Sequence, residues 1–571
     1  MSGPRFALLA ALVVSRLSAQ SPDIVLVHAH VITVDSADRI VQAIAIRGGR
    51  IIAVGTDAEV IALAGAATRR IDLGGRTVTP GLLDAHDHFS EGAVEKATVV
   101  DLSYPAVHSI GDIVAKTAAR ARELPANAWI VGAGWDEGKL TEHRMIVARD
   151  IDAAAGSHPA YLSNATGHSA VVNRAALALA GITRDTPEPA GGGIDRNRDG
   201  TPTGLLWETA MDLVTRLIPG PSAAEYDRAL AEMARAFNAE GMTGVKDPLV
   251  TDSAWDAYRR VLADSALTLR VFALFDGGSS EARARALIAQ HGADARRSAW
   301  QSDRLIPGGV KLFADGSGGS RTAWMYAPWN RNVTDVDSGN TGYPRMPPDT
   351  LRRLIMLYHD AGLHLGVHAI GDRAIDWVVD SYGIALREHP VAGLRHSIIH
   401  ANIPTEHALS VMRELEERYD AAYPEPSATF MWWIGDNYAG NFGTRALRLD
   451  PFHTFASRGI PWANGSDFPV TPFPARYGIW SAIARRTLLD RYGGDPFGRA
   501  ESVDVGLALR AATIWAARQM FLEDRIGSIE PGKLADLAVW DRDFYSVPTD
   551  SIRDARCLMT IFNGRIVYDA R

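Results

Sequence analysis

One apolar run of the chain, VTPGLLD, ends in Asp84-Ala85-His86-Asp87-His88. Side chains two apart on a strand share a face, so His86 and His88 can offer two imidazoles to one metal ion. Histidines close two further apolar runs, His368 in LHLGVHAIGD and His400 in LRHSIIHAN. Each has another histidine four residues earlier, His364 and His396, on the same face but about 13 Å deeper along the strand. The later pair reads as metal ligands and the earlier pair as packed, hydrogen-bonded core. Asp467, in Ala463-Asn464-Gly465-Ser466-Asp467-Phe468-Pro469, ends one more such run. A carboxylate there can bind metal and take a proton from water, the base that metal-assisted hydrolysis needs; it can equally be an aspartate at a turn before proline. Lys311, in GVKLFADG, is the odd member, because a cation beside a metal is electrostatically unfavourable. Either carbon dioxide converts it to a carboxylate able to bridge two metals, or it is a buried ion-pair residue facing Asp315.

These residues need a scaffold that gathers strand ends. Residues 23 to 80 alternate apolar and polar positions in short runs broken by glycine and aspartate, which predicts antiparallel β structure. The last seventy or so residues return to that style in GSIEPGKLADLAVWD and CLMTIFNGRIVYD, so the two ends of the chain are expected to share a sheet. Between them GMTGVKD, LTLRVFALFDG, GGVKLFADG, LHLGVHAIGD, LRHSIIHAN, RYDAAYPEPS and RGIPWANGSDFP each precede a helical or loop segment. Repeated strand-loop-helix units predict a closed parallel α/β sheet with its chemistry at the C-terminal strand ends. Residues of about 90 to 235 break the cadence and read as an inserted subdomain. Within it, Asp195-Arg196-Asn197-Arg198-Asp199-Gly200 resembles a calcium loop but lacks the closing glutamate, and a surface hairpin is expected instead.

Composition narrows the partners. The 571 residues carry 67 acidic and 59 basic side chains, a formal net charge of −8, which argues against a nucleic-acid partner. With 47% hydrophobic and 22% charged residues the chain is globular rather than disordered. A single cysteine, Cys557, excludes an intramolecular disulfide and any cysteine-cluster zinc site, leaving histidine and carboxylate as ligands. Zinc suits such ligands by default, and manganese, cobalt or iron also fit. FALLAALVV, preceded by Arg5 and followed by Ser18-Ala19-Gln20, reads as an export leader over residues 1–20, with a frayed terminus as the alternative. It is too short to span a membrane, and no other run is long enough, so a periplasmic or secreted protein is expected.

The ordered set of HxH, lysine, histidine, histidine and aspartate at successive strand ends resembles that of the amidohydrolase superfamily, metal hydrolases on a distorted (β/α)8 barrel. VKLFADGS with Arg321-Thr322-Ala323, HAIGD from His368, and GSDFP from Gly465 are similar to the YtcJ-like branch, which includes N-substituted formamide deformylases. GSIEPGKLAD, from Gly527, resembles the signature with which these enzymes re-enter a composite β-sandwich. The resemblance covers essentially the whole chain after the leader. It implies an α/β fold: a TIM barrel over 81–525 with the insertion at about 90–235, and a β-sandwich built from 21–80 and 526–571.

The same resemblance implies two divalent metal ions. His86 and His88 would hold the more buried one, carboxylated Lys311 would bridge, His368 and His400 would hold the second, and Asp467 would serve as base and proton shuttle. Lys246, in GVKD, competes for the carboxylated role, and the motif favours Lys311. Asp87 stands where the family more often has an apolar or amide residue, and its side chain is expected to face away from the metals. His168, in Thr166-Gly167-His168-Ser169, resembles the branch's insertion motif and is a candidate for substrate contact, as are Trp135, Asp136, Arg321 and Trp433. AWMYAPWN and FMWWIGDNY suggest an aromatic pocket lining or else loop core. The expected reaction is hydrolysis of an amide, N-acyl or formamide carbon–nitrogen bond in a small molecule. The same centre would also serve a lactone, carbamate or organophosphate ester, and a non-catalytic exported metal binder is the third reading. Metal number and homo-oligomerisation stay open.

Overall fold

Seven strands form one parallel sheet, each beside the next: β1 (Leu82–Asp84), β2 (Met242–Val250), β3 (Arg270–Asp276), β4 (Leu305–Phe313), β5 (His364–Ala369), β6 (Ser397–His400) and β7 (Tyr423–Glu425). The computed structural model describes residues 21–330 and 339–571, so the leader expected over residues 1–20 lies outside them. Every residue of β5, β6 and β7 is buried, which is why these strands read as unbroken apolar runs rather than alternations. Parallel pairing needs long crossovers. Helices Asp252–Ala263, Glu281–Ala295, Pro348–Asp360, Asp372–Glu388 and Glu406–Tyr419 supply them from β2 to β7. The helix at Asp252–Ala263 shows the local logic: the Thr251 hydroxyl accepts from the Ala254 amide, and Ala254, Ala257, Tyr258 and Val261 form one buried stripe.

The two edges of this sheet are joined through residues 463–467. Ala463 and Gly465 donate to the carbonyls of Pro424 and Pro426, at 3.3 and 3.1 Å. On the other side the Ala85 amide donates to Asn464 (3.0 Å) and the Asp467 amide to His86 (2.8 Å). The segment is not a regular strand, and Pro424, Pro426 and Pro461 have no N–H to add to a ladder.

Between β1 and β2 lies a second, six-stranded sheet, in the order Gly192–Arg196, Pro202–Glu208, Ser169–Val172, Ala160–Asn164, Ile130–Trp135, Val100–Asp101. Its first two strands form the expected hairpin around Asp199-Gly200. A third sheet takes three strands from each end of the chain, with Val78 opposite Val539. Leu26, Ile44 and Ile71 of a four-stranded N-terminal sheet share a core with Val78, Leu537, Val539 and Ile561. The pairing there is not wholly antiparallel. Ile24–Val27 runs parallel to Arg69–Asp72, and His30–Ile32 parallel to Thr77–Pro80, because the chain makes a hairpin and a helix before returning in its first direction. No helix among the described residues is long and apolar enough to cross a membrane.

Candidate active site

His86 and His88 lie beyond β1, which ends at Asp84. Asp84 accepts from the His86 amide (3.1 Å) and the Ser466 amide (3.0 Å), tying this turn to the closing segment. His88 then caps the helix Phe89–Thr98. Both imidazoles meet Asp467, whose Oδ1 lies 3.1 Å from His86 Nε2 and 3.3 Å from His88 Nε2. His400 closes the group: one ligand atom each from His86, His400 and Asp467 lie within 4.8 Å of one another, all three residues buried. The backbone is strained at two of these positions, with φ of +69° at His400 and +57° at Asp467. Left-handed residues other than glycine persist where surrounding structure enforces them, commonly at functional sites.

His368, near the end of β5, stands with its ring centroid 4.7 Å from that of His400. Its Nε2 is 3.1 Å from the Gly316 carbonyl and 3.5 Å from Asp315, so Nδ1 is the nitrogen left for a ligand role. His400 is turned the other way, with Nδ1 3.3 Å from the Ser427 hydroxyl, which leaves Nε2 for a ligand role. Such outer partners fix the tautomer of a ligating imidazole. Burial holds His368 well below the ordinary histidine range, with His400, His168 and Lys311 adding to the effect. Burial likewise brings His400 down to about 3, so both imidazoles are neutral at physiological pH. Burial alone would raise the Asp467 carboxyl, but His400, His86 and His88 outweigh it and hold the group well below the usual carboxylate range. Burial pulls His88 down, and its contacts with Asp467 and Glu91 reverse this and carry it to about 9.

Lys311, on β4, is 1% exposed, with Nζ 3.5 Å from His86 Nε2. Among the described residues no carboxylate is paired with it. Asp315, its suggested partner, instead accepts from the amides of Trp324, Ile370 and Gly371. Burial lowers the Lys311 amine to about 7; Asp467 and Glu425 oppose this, while Lys246 and Arg345 add to it. Lys246 is committed elsewhere, in a fully buried ion pair with Glu425 and 3.2 Å from the Ser397 hydroxyl. The Asp87 carboxylate lies 3.4 Å from the Ser466 hydroxyl, and burial, with Asp84, Asp247 and Asp467 adding to it, holds it well above the usual carboxylate range. His364 and His396 are core, as expected, with His364 Nδ1 3.0 Å from the Leu394 carbonyl and His396 Nε2 2.9 Å from His359.

A cavity of about 390 Å³ opens above this group, lined by His88, His368, His400 and Asp467 and, from the insertion, by Tyr161, Asn164 and His168. The other four residues singled out for substrate contact do not line it. Trp135 is fully buried in the insertion core, its Nε1 donating to the Leu162 carbonyl at 2.9 Å. Asp136 pairs with Lys139 at 3.3 Å, and that lysine lies over the Trp433 ring at 4.4 Å. Arg321 donates to the Asn330 carbonyl at 3.2 Å, away from the cavity. The aromatic lining is accordingly sparse: Phe313 and Tyr161 contribute, while Trp432 packs on Trp433, Tyr477 and Trp480. Two residues escape a reading of the sequence: Arg345, which lines the cavity, and Glu208, buried behind His168. Glu208 ends the apolar strand Pro202–Glu208, the same strand-end carboxylate signal that marks Asp467, and could have been found by it.

An amidohydrolase family model matches residues 69–568. The chain is 30% identical to the N-substituted formamide deformylase of Arthrobacter pascens over 96% of its length and 99% of that protein's. It is 29% identical to YtcJ of Bacillus subtilis, an amidohydrolase by assignment, over 88% and 91% of the two chains. An uncharacterised metal-dependent hydrolase from Pyrococcus furiosus superposes with a TM-score of 0.68 at 24% identity, covering 92% of this chain and all of that one. Fold, strand-end residues and these matches lead to one assignment: the chain belongs to the amidohydrolase family of hydrolases.

Proposed function

We propose that the protein is a metal-dependent hydrolase of a small-molecule amide, with an N-acyl or formamide carbon–nitrogen bond as its target, working on a distorted (β/α)8 barrel. One observation carries the reading: ligand atoms of His86, His400 and Asp467 converge within 4.8 Å, buried at the floor of a cavity large enough for a small substrate. The donor set fits a divalent cation, since the buried neutral imidazoles of His86, His368 and His400 and an ionised carboxylate suit zinc, and also manganese, cobalt or iron, while His88 would give up its proton on binding. His86, His88, His368 through Nδ1, His400 and Asp467 would hold it, with Lys311 able to bridge a second ion once carboxylated. Bound there, such ions supply Lewis acidity and a water of lowered pKa. Lys311 supports the carboxylated role, since the neutral amine is the form that adds carbon dioxide and no carboxylate among the described residues holds it as a cation. Asp467, kept ionised at the cavity floor, accepts a proton from the attacking water and delivers it to the departing nitrogen. The name of the Arthrobacter relative supports a formamide as the first substrate to try.

The test pairs metal content with turnover. Elemental analysis after purification with bicarbonate is expected to give near two ions per chain, falling to one or none in Lys311→Ala. Against a panel of formamides, other amides, lactones and esters, amides are expected to lead, and Asp467→Asn to lose on the order of 10²–10⁴-fold in kcat. Metal-replete protein that hydrolyses nothing in the panel, or an Asp467→Asn variant as active as wild type, overturns the reading.

A further inference from the structure

The insertion places a histidine in the cavity with one nitrogen already engaged. His168 follows the turn at Gly167 (φ +70°), lines the cavity, and stands with its ring centroid 5.3 Å from that of His368. Its Nδ1 is 2.8 and 3.0 Å from the two oxygens of Glu208. A carboxylate only accepts, so Nδ1 carries the proton. Glu208 is 2% exposed and also accepts from the Thr322 hydroxyl at 2.5 Å and from Arg345 at 3.2 Å. Arg345 also meets Glu208, and with Nδ1 committed to that carboxylate Nε2 is the ring nitrogen left for a ligand. Space is reserved for this network: a Cβ on Gly316 would lie 2.1 Å from the Thr322 hydroxyl oxygen and 2.2 Å from Glu208 Oε1. Glu208 itself is held at φ +49°. Among the described residues Nε2 of His168 has no hydrogen-bond partner. Asn164, on the same wall, spends its oxygen on Thr166 and its amide on Glu137.

We propose that His168, positioned by Glu208, accepts a hydrogen bond from the N–H of the scissile amide, so that the enzyme selects substrates with one hydrogen on the departing nitrogen over N,N-disubstituted ones. This rests on the amide-hydrolase reading above. It adds a requirement on the substrate that the metal ligands do not impose, since they address the carbonyl.

The probes are an N-substituted formamide and its N-methylated counterpart, tested on the metal-replete enzyme. Wild type is expected to favour the N–H member in kcat/KM by about tenfold or more, the worth of one hydrogen bond left unmade. His168→Ala is expected to erase that preference by lowering kcat/KM on the N–H probe about tenfold more than on the N-methylated one, with metal content unchanged. Glu208→Gln keeps an acceptor oxygen and should retain part of the preference; Glu208→Ala should lose it. Equal loss on both probes, no change on either, or a fall in metal content in His168→Ala overturns the proposal. Calorimetric binding of the same pair separates the two readings. Where neither probe is turned over, a wild-type binding preference that His168→Ala lacks sustains the His168 assignment while the hydrolase reading falls, and equal binding of both probes overturns it.

Discussion

Gly465 sets how tightly the candidate metal-binding residues can be brought together. A Cβ at this position would lie 2.6 Å from His86 Cβ, 2.8 Å from its carbonyl oxygen and 2.9 Å from its amide nitrogen. Two of those neighbours are backbone and cannot swing aside, so a methyl group would push the closing segment, and Asp467 two residues on, away from His86. Gly465→Ala is expected to cost about 1–3 kcal/mol through overpacking and to lower metal occupancy more than its stability loss would suggest. Elemental analysis beside a denaturation curve checks this, and full metal content in the variant would show that the close approach is dispensable. The six candidate residues could be read from the sequence because five follow or close an apolar run, whose end is a position in space, and the sixth, Lys311, is a charge inside one. Trp135, Asp136, Arg321 and Trp433 could not be placed that way. An aromatic or charged residue in a loop says what it could touch, not which way the loop turns, and here Trp135 and Trp433 serve packing inside and beside the insertion.

At the scale of elements, β5 and β6 carry two kinds of histidine, and the deeper kind makes a pH-dependent contribution to stability. The Leu365 amide donates to His396 Nδ1 at 3.2 Å, so His396 Nε2 carries the proton and donates it to His359 Nδ1 at 2.9 Å. His359 Nε2 in turn donates to the His389 carbonyl at 2.8 Å. The relay works only with neutral rings. Burial, reinforced by His359, holds His396 well below its ordinary 6.5, and burial with Lys246 does the same to His364. In the unfolded chain these groups take up protons below about pH 6.5, whereas in the fold they do not. Their contribution is therefore complete above that pH and is lost as pH falls. The urea midpoint is expected to drop between pH 7 and 5, and His396→Gln, less stable at pH 7 by roughly 1–3 kcal/mol, should lose less over the same interval. An unchanged slope in the variant would remove His396 from the account. Periodicity revealed β2 to β6 because buried parallel strands are apolar throughout. It could not reveal that residues 463–467 would bridge the sheet edges without forming a regular strand, since proline removes hydrogen bonds without changing the apolar pattern.

At the scale of the whole molecule, a single residue, Asp536, ties the two ends of the chain to the parallel sheet through its carboxylate and its carbonyl. Asp536 receives Arg270 of β3 through Nε at 2.6 Å and Nη2 at 3.1 Å, and the Asn563 amide at 2.7 Å. Its own carbonyl accepts from Gly81, at the entry to β1, at 2.8 Å. Arg270 is fully buried and Asp536 is 5% exposed, and Asp303 lies 3.0 Å from the same guanidinium. A buried ion pair of this kind adds little over an apolar pair of the same volume, yet removing one member strands the other charge. Asp536→Ala is therefore expected to destabilise by about 3–5 kcal/mol, because Asp303, on the partly exposed side, cannot replace the paired geometry. The double variant Arg270→Met with Asp536→Leu should recover most of that loss. Denaturation midpoints of the three proteins decide it. If the double variant is no better than Asp536→Ala, the amide contacts of Asp536 rather than its charge hold the ends in place, and the ion pair is incidental to how the terminal strands dock.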